Sequence, residues 1–337
     1  MSVGSSSTGG PRWADRIPTI SPRTLRRLAI ASLVSVCLIV LSGAAVRLTG
    51  SGLGCPDWPS CYQRQITPQL SFHPLVEFSN RLVTVVLTVV IAATFLAALR
   101  RRPIRRDLVW LTVALLGGVL AQAGIGALAV YTKLNPYVVL CHFLASMLLV
   151  AVAVVHRSDR DYRPGSGRRV VPAAIVLGAR GVLGLLALVL VAGTFTTGAG
   201  PHAGNADGQL VARRIPVALR DMAELHSSLA LLLVGVTLGV AVALHATAVP
   251  ERVRRSARIL CGVMILQAAI GYTQYFTHLP AALVELHVLG ATTLVVGTVQ
   301  FILAMTEHPH EVAQGGLVAL PTDAAPSGPP RRIQVGG

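Results

Sequence analysis

The sequence predicts an all-α polytopic membrane protein, with eight transmembrane helices arranged as two tandem four-helix bundles related by an internal repeat. Hydrophobic residues make up 53% of the 337 residues and charged residues only 13%, whereas charged residues are about a quarter of a soluble domain. Eight apolar windows have the length of about 20 residues that a helix needs to cross roughly 30 Å of hydrocarbon. Residues 122–144 also align without a gap on residues 267–289, which is typical of an internal duplication.

The eight windows divide the chain into two sets of four helices. We expect an N-terminal half at residues 28–158 and a C-terminal half at residues 170–306. Residues 1–27 and 307–337 are rich in Gly, Ser and Pro and are predicted to be disordered cytoplasmic tails. The predicted spans lie near residues 28–47, 77–98, 108–130, 137–155, 181–199, 223–245, 259–276 and 283–305.

Arginine clusters predict the orientation of these spans. Clusters lie before the first span and in the loops after the second, fourth and sixth, for example at residues 100–106 and 252–258. Cytoplasmic loops carry such an excess of positive charge, so both termini are expected in the cytoplasm and the protein in the plasma membrane. Contact with anionic lipid accounts for the formal net charge of +15, so a nucleic-acid partner is not expected.

The repeat relates four positions near the starts of the even-numbered helices. The aligned segments place His142 on His287, and an offset of 146 residues places Asn80 on His226. A histidine within hydrocarbon is costly and is a candidate functional residue. His226 and His287 are therefore predicted to bind one haem iron from both sides, since imidazole suits iron and bundle cores hold such cofactors. Zinc is the rival, but a zinc site needs three or four converging ligands.

Glu77 is a second costly residue, and it occurs in the N-terminal half alone, since its aligned position holds Ala223. Glu77, Asn80 and Arg81 are predicted to share one face of the second helix. Glu77 either acts in catalysis by stabilising positive charge or moving a proton, or is a helix-start carboxylate paired with Arg81.

Cys55 and Cys61 lie in the first outer loop, in the sequence GCPDWPSC. An oxidising compartment favours a disulfide between them, which either staples the loop or cycles between thiol and disulfide. Of the other histidines, His202 and His278 are the two that are expected to come within reach of a site.

Together these motifs resemble the haem A synthase family. The resemblance rests on the loop VRLTGSGLGCPDWPSC, the helix start EFSNR, the third outer loop GPHAG and the histidines of helices four, six and eight. It covers residues from about 28 to 306. It implies an oxidoreductase acting on a CH group, which converts the C8 methyl of haem O into the formyl group of haem A by successive hydroxylations with water-derived oxygen.

The resemblance also implies a role for each candidate residue. It implies a haem b held by His226 and His287, a substrate haem O bound at His142, and catalysis by Glu77. Asn80 departs from the family pattern, which has histidine there, so we expect the iron position opposite His142 to be open or filled by water hydrogen-bonded to Asn80. Asn80 and Arg81 complete the predicted substrate-binding set.

Two other functions remain as alternatives, a di-haem b-type electron-transfer cytochrome and a haem transporter. The asymmetric residues Glu77 and Asn80 argue against the cytochrome, and the clustering of polar residues toward the outer face argues against the transporter. Expected partners are the farnesyltransferase that forms haem O, an electron acceptor and the lipid bilayer. A homo-oligomer is left open.

Overall fold

The computed structural model describes residues 19–158, 167–205 and 213–307, and within them it confirms the predicted all-α membrane architecture. Eight of the described helices are long and apolar enough to cross a membrane. The helices are α1 (Pro22–Leu48), α2 (Phe72–Arg100), α3 (Arg106–Tyr131), α4 (Pro136–Arg157), α5 (Ala173–Ala199), α6 (Leu219–His245), α7 (Glu251–Phe276) and α8 (Ala281–Ala304).

The helices run alternately up and down, so the ends of the bundle differ. We call the end formed by residues 49–71, 132–135, 200–205, 213–218 and 277–280 the disulfide face. Its α3–α4 and α7–α8 turns have the same shape, because Lys133 and Leu134 in one and His278 and Leu279 in the other all have positive φ. Positive φ is uncommon for residues other than glycine, so two consecutive residues of this kind at both turns mark a specific local structure.

The packing separates an inner set of helices from an outer set. Helices α1, α4, α5 and α8 pack on one another at the centre, while α2 and α3 cover α1 and α4, and α6 and α7 cover α5 and α8. Residues from all eight helices join one continuous apolar core, with fully buried side chains that include Ile91, Leu115, Val182 and Leu260.

Local sequence explains where several helices begin. Pro22 and Pro136 occupy first-turn positions, where a missing N–H costs nothing. Ser21 Oγ accepts from the Thr24 N–H at 3.1 Å, and Asn135 Oδ1 accepts from the Tyr137 N–H at 3.0 Å, as N-cap side chains do.

The structure corrects the predicted tails at their inner ends. Residues 22–27 are helical rather than disordered, because the cap at Ser21 starts α1 ahead of the apolar window. Two short strands, β1 (Arg168–Arg169) and β2 (Thr306–Glu307), pair antiparallel at the face opposite the disulfide, and Arg252 donates to Glu307 there at 3.3 Å. The rest of the predicted tails, residues 1–18 and 308–337, lies outside the described residues.

Candidate functional site

Two of the predicted ligands, His226 of α6 and His287 of α8, face each other in the C-terminal four helices. Their ring centroids are 6.2 Å apart, with an angle of 68° between the ring planes. An imidazole nitrogen binds a metal at about 2.0 Å, so two rings that hold one ion from opposite sides have centroids about 6 Å apart. The spacing therefore fits a single metal ion with two axial imidazoles.

The contacts of His226 leave one ring nitrogen for a ligand. Its Nδ1 lies 3.0 Å from the Val189 carbonyl oxygen, so Nδ1 carries the proton and donates, and Nε2 keeps its lone pair. A carbonyl that accepts from the other ring nitrogen in this way fixes the orientation of a metal-binding histidine. Gly193 makes room for the ring, since a Cβ at that position would lie 2.9 Å from His226 Cε1.

His287 is placed by α7. Gln267 Nε2 donates to the His287 main-chain oxygen at 2.8 Å, and a Cβ at Gly271 would lie 3.1 Å from His287 Cε1. The buried His287 Nδ1 has no hydrogen-bond partner in the described residues. No acidic side chain of the described residues hydrogen-bonds to either imidazole, which suits neutral rings that bind a metal.

A cavity of about 520 Å³ surrounds the two histidines, which is within the usual range of about 300–1,000 Å³ for ligand pockets. Helices α5 to α8 line it, mostly with apolar side chains, such as Leu186, Leu233, Met264 and Leu294. In the described part of the chain no three His, Cys, Asp or Glu residues converge on one point. The donor set and the apolar cavity thus fit a haem better than a zinc ion.

His142 of α4 has the same kind of support 145 residues earlier. Gln122 Nε2 donates to the His142 main-chain oxygen at 2.9 Å, as Gln267 does to His287. A Cβ at Gly126 would lie 3.7 Å from His142 Cε1. The buried His142 Nδ1 has no hydrogen-bond partner among the described residues. The His142 ring is therefore also able to bind a metal, and α3 supports the helix turn that carries it.

Glu77 lies at the start of α2, buried to 6% exposure, and both of its oxygens are engaged. Oε2 accepts from the Cys55 N–H at 2.7 Å, and Oε1 forms a 2.7 Å ion pair with Arg81. Both contacts require an acceptor, which is the role of an ionised carboxylate. The predicted helix-start pairing with Arg81 is therefore present, and it joins the acid to the cysteine loop.

The disulfide between Cys55 and Cys61 is formed, and both residues are buried. Arg81 holds this loop by donating to the carbonyl oxygens of Cys55 and Asp57 at 3.0 Å and of Ser60 at 2.8 Å. A single guanidinium therefore connects Glu77 to the loop that the disulfide closes.

The side chain of Asn80 bonds to α1, whereas Glu77 and Arg81 bond to the cysteine loop. Asn80 Oδ1 accepts from Ser42 Oγ of α1 at 2.7 Å and lines an apolar cavity of about 330 Å³ between α1 and α2. Three helical residues turn the chain by about 300°, which leaves Asn80 about 60° away from Glu77 and toward α1. Among the described contacts, no hydrogen bond or ring contact joins Asn80 to His142.

Sequence reasoning missed a set of polar contacts that joins the two sets of helices. Arg47 of α1 donates to the carbonyl oxygens of His202 at 2.7 Å and of Thr197 at 3.0 Å. His202 Nε2 in turn lies 2.8 Å from the Leu279 oxygen, which ties His202 to the α7–α8 turn. The sequence feature that pointed to these contacts is the similarity of the segments LTGSG and TTGAG, which lie at the ends of α1 and α5.

Comparison with known proteins agrees with this architecture. The family model described as cytochrome oxidase assembly protein, COX15-CtaA, matches residues 26–299. Proteins named heme A synthase are similar over parts of the chain. The protein from Geobacillus kaustophilus is 41% identical over 109 residues, which cover 31% of this chain and 33% of that protein.

Two further relatives with that name show matches of similar extent. The protein from Lysinibacillus sphaericus is 34% identical over 147 residues, 42% of this chain and 48% of the relative. The protein from Bacillus pumilus is 33% identical over 138 residues, 39% of this chain and 45% of the relative. Each of these matches thus spans less than half of the relative's length. Because the family model covers most of the sequence, the chain belongs to the family of cytochrome oxidase assembly proteins.

Proposed function

We propose that this protein is a haem A synthase, which oxidises the C8 methyl group of haem O to a formyl group for use by terminal oxidases. The opposed pair His226 and His287 in an apolar cavity is the observation that carries the proposal. The name heme A synthase of the three relatives supports it, and so does the buried acid Glu77 in the N-terminal set of helices.

The C-terminal helices, residues 170–306, would hold a haem b. His226 and His287 would supply the axial nitrogens, and the apolar residues of the cavity would cover the macrocycle. Bound there, a haem b supplies one-electron redox chemistry. Val189 keeps the His226 proton on Nδ1, and Gln267 fixes the helix turn that carries His287, so the chain sets the two ligands before the cofactor arrives.

The N-terminal helices, residues 28–158, would receive the substrate. His142 would be the protein ligand of the haem O iron, because an asparagine amide is a poor iron ligand and Asn80 already bonds to Ser42. The position opposite His142 would then be open or occupied by water. Asn80 would shape the wall between α1 and α2. To bind that water, Asn80 would have to give up its hydrogen bond to Ser42.

Glu77 would act on the methyl group that is oxidised. Its carboxylate would stabilise positive charge on the methyl carbon and accept a proton as water adds, which is the use of a buried acid next to a developing cation. Arg81 would keep Glu77 ionised and aimed by its 2.7 Å ion pair. Two two-electron oxidations yield first the alcohol and then the hydrated aldehyde, which loses water, so one water is consumed in all and the electrons pass to an acceptor.

The proposed setting is the plasma membrane, with both termini in the cytoplasm. The face opposite the disulfide carries many arginines, as cytoplasmic loops do. They are Arg100, Arg101, Arg102, Arg157, Arg252, Arg254, Arg255 and Arg258. The disulfide face would then be the oxidising side, which favours the Cys55–Cys61 bond. The farnesyltransferase that makes haem O would supply the substrate laterally through the bilayer.

The test is pigment extraction from cells that express this chain together with the haem O farnesyltransferase. The intact chain should yield haem A, and Glu77→Ala should retain bound haem but stop at haem O or the alcohol. Glu285→Gln, at a half-buried carboxylate near the start of α8, is the matched control and should still give haem A. Haem O alone from the intact chain would instead indicate a cytochrome or a transporter, and full haem A yield from Glu77→Ala would remove Glu77 from the mechanism.

A further inference from the structure

The C-terminal cavity has a charged mouth, and the charge indicates how its haem is oriented. We propose that Arg220 binds a propionate of the haem held by His226 and His287, so that the propionate edge of the haem faces the disulfide face. This inference rests on the proposed haem b site and adds to it a residue and an orientation.

The cavity is polar at one end and apolar at the other. Its mouth at the disulfide face is lined by Arg220 and Glu224 of the first turns of α6 and by Gln274 and Tyr275 of the last turn of α7. The residues farther along the helices are apolar and include Leu186, Leu233, Val234, Met264 and Leu294. A haem is divided in the same way, with two carboxylates on one edge and apolar substituents on the other.

Arg220 and His226 of α6 line the same cavity, with Arg220 six residues earlier and at the mouth. Arg220, Glu224 and Ser227 are spaced by four and seven residues and therefore share one stripe of the helix, and all three line the cavity. In the N-terminal helices the residue after Asn80 is Arg81, whereas the residue after His226 is the neutral Ser227. Arg220, two turns earlier on the same stripe, restores a cation to this wall.

The Arg220 side chain is available to an incoming carboxylate. Its Nε bonds Glu224 Oε1 at 2.8 Å, and the two side chains are 80% and 64% exposed. An exposed ion pair of this kind contributes little to stability, so exchanging Glu224 for a propionate costs little. The guanidinium also has two terminal nitrogens, whose planar arrangement matches a carboxylate.

The opposite orientation would place both propionates among the apolar residues of the inner end. Leu233 and Leu294 are nearly fully buried there, and the lining residues at that end include no cation. A carboxylate in such surroundings is strongly unfavourable. The charge distribution of the lining thus selects the orientation with the propionates at the mouth.

The experiment compares haem with haem dimethyl ester, in which both propionates are neutral. The full-length protein, purified without haem, is titrated with each, and the low-spin spectrum of a bis-imidazole haem is followed. Arg220→Gln should weaken haem binding about three- to tenfold, as expected for loss of one exposed charged contact, and should leave ester binding unchanged. Arg220→Lys should fall between the two.

Arg213→Gln is the matched control, because it removes the same charge from an exposed residue at the same face outside the cavity lining, and it should bind both ligands normally. Equal haem affinity in Arg220→Gln and the intact protein would overturn the proposal. Equal weakening of haem and ester would overturn it too, since that result indicates a structural role. If a low-spin spectrum never forms, or persists in His226→Ala, the haem b site itself is refuted, and the orientation with it.

Discussion

Gly193→Ala tests how tightly α5 fits the ligand His226. The added Cβ would lie 2.9 Å from His226 Cε1 and 3.2 Å from Nδ1, whereas carbon atoms in ordinary contact lie about 3.5–4.0 Å apart. The ring must therefore move by about 0.6 Å or more, which is beyond the tolerance of about 0.2 Å in a metal–ligand bond. Because the ring also donates to the Val189 carbonyl oxygen, the shift disturbs that hydrogen bond, and loss of such a contact costs about 10- to 100-fold in metal affinity.

The assay is haem titration of the purified variant, with the low-spin spectrum as the measure of axial ligation. Gly181→Ala is the control on the same helix, because its Cβ meets no atom within 4 Å. Gly126→Ala is the control at a histidine, with a Cβ 3.7 Å from His142 Cε1. Both should bind haem normally. Unchanged affinity and spectrum in Gly193→Ala would show that the ring has room to move and that the proposed rigid support is wrong.

The remaining predictions concern the N-terminal helices. Asn80→His should change the iron spectrum of the substrate-loaded enzyme to six-coordinate low-spin, since under the proposed function the new imidazole would occupy the open iron position opposite His142, and an unchanged spectrum would contradict that open position. Gly54→Ala should displace the cysteine loop, because the added Cβ would collide with the His73 carbonyl oxygen. The measurement is the rate of reduction and alkylation of the disulfide, which should be faster than in the intact protein. Arg81→Gln should speed the same reaction through loss of its three close carbonyl contacts, and a rate equal to that of the intact protein would refute its role in holding the loop.

Hydropathy and segment length predicted the eight helices, because hydrocarbon thickness sets the length of a span. The hydropathy windows placed several helix ends inaccurately. Helix α2 begins at Phe72 rather than near residue 77, and α5 at Ala173 rather than near 181. These extra turns lie outside the most apolar windows, so hydropathy alone does not locate the boundary. The same cause explains why residues 22–27 proved helical.

The site shows a similar division between local and long-range information. The placement of His226 and His287 on their helices follows from helical phase, which is a local pattern, and the alignment of residues 122–144 with 267–289 drew attention to them. The direction of Asn80 does not, because it depends on a hydrogen bond to Ser42, 38 residues away. The tie from Arg47 to His202 spans 155 residues, and no periodicity encodes such a contact.

The aligned positions Glu77 and Ala223 show why one scaffold would serve two tasks. Ala223 itself has no charge and borders a cavity that suits a resident cofactor. At Glu77 the wall of α2 carries an acid and Arg81, and both bind the cysteine loop. A resident haem needs strong ligation on both faces of its iron, whereas a substrate must leave after reaction and needs an acid near its reacting carbon. The replacement of histidine by Asn80 weakens ligation in the half that would have to release its product, so under the proposed function it affects exchange of the substrate rather than retention of the cofactor.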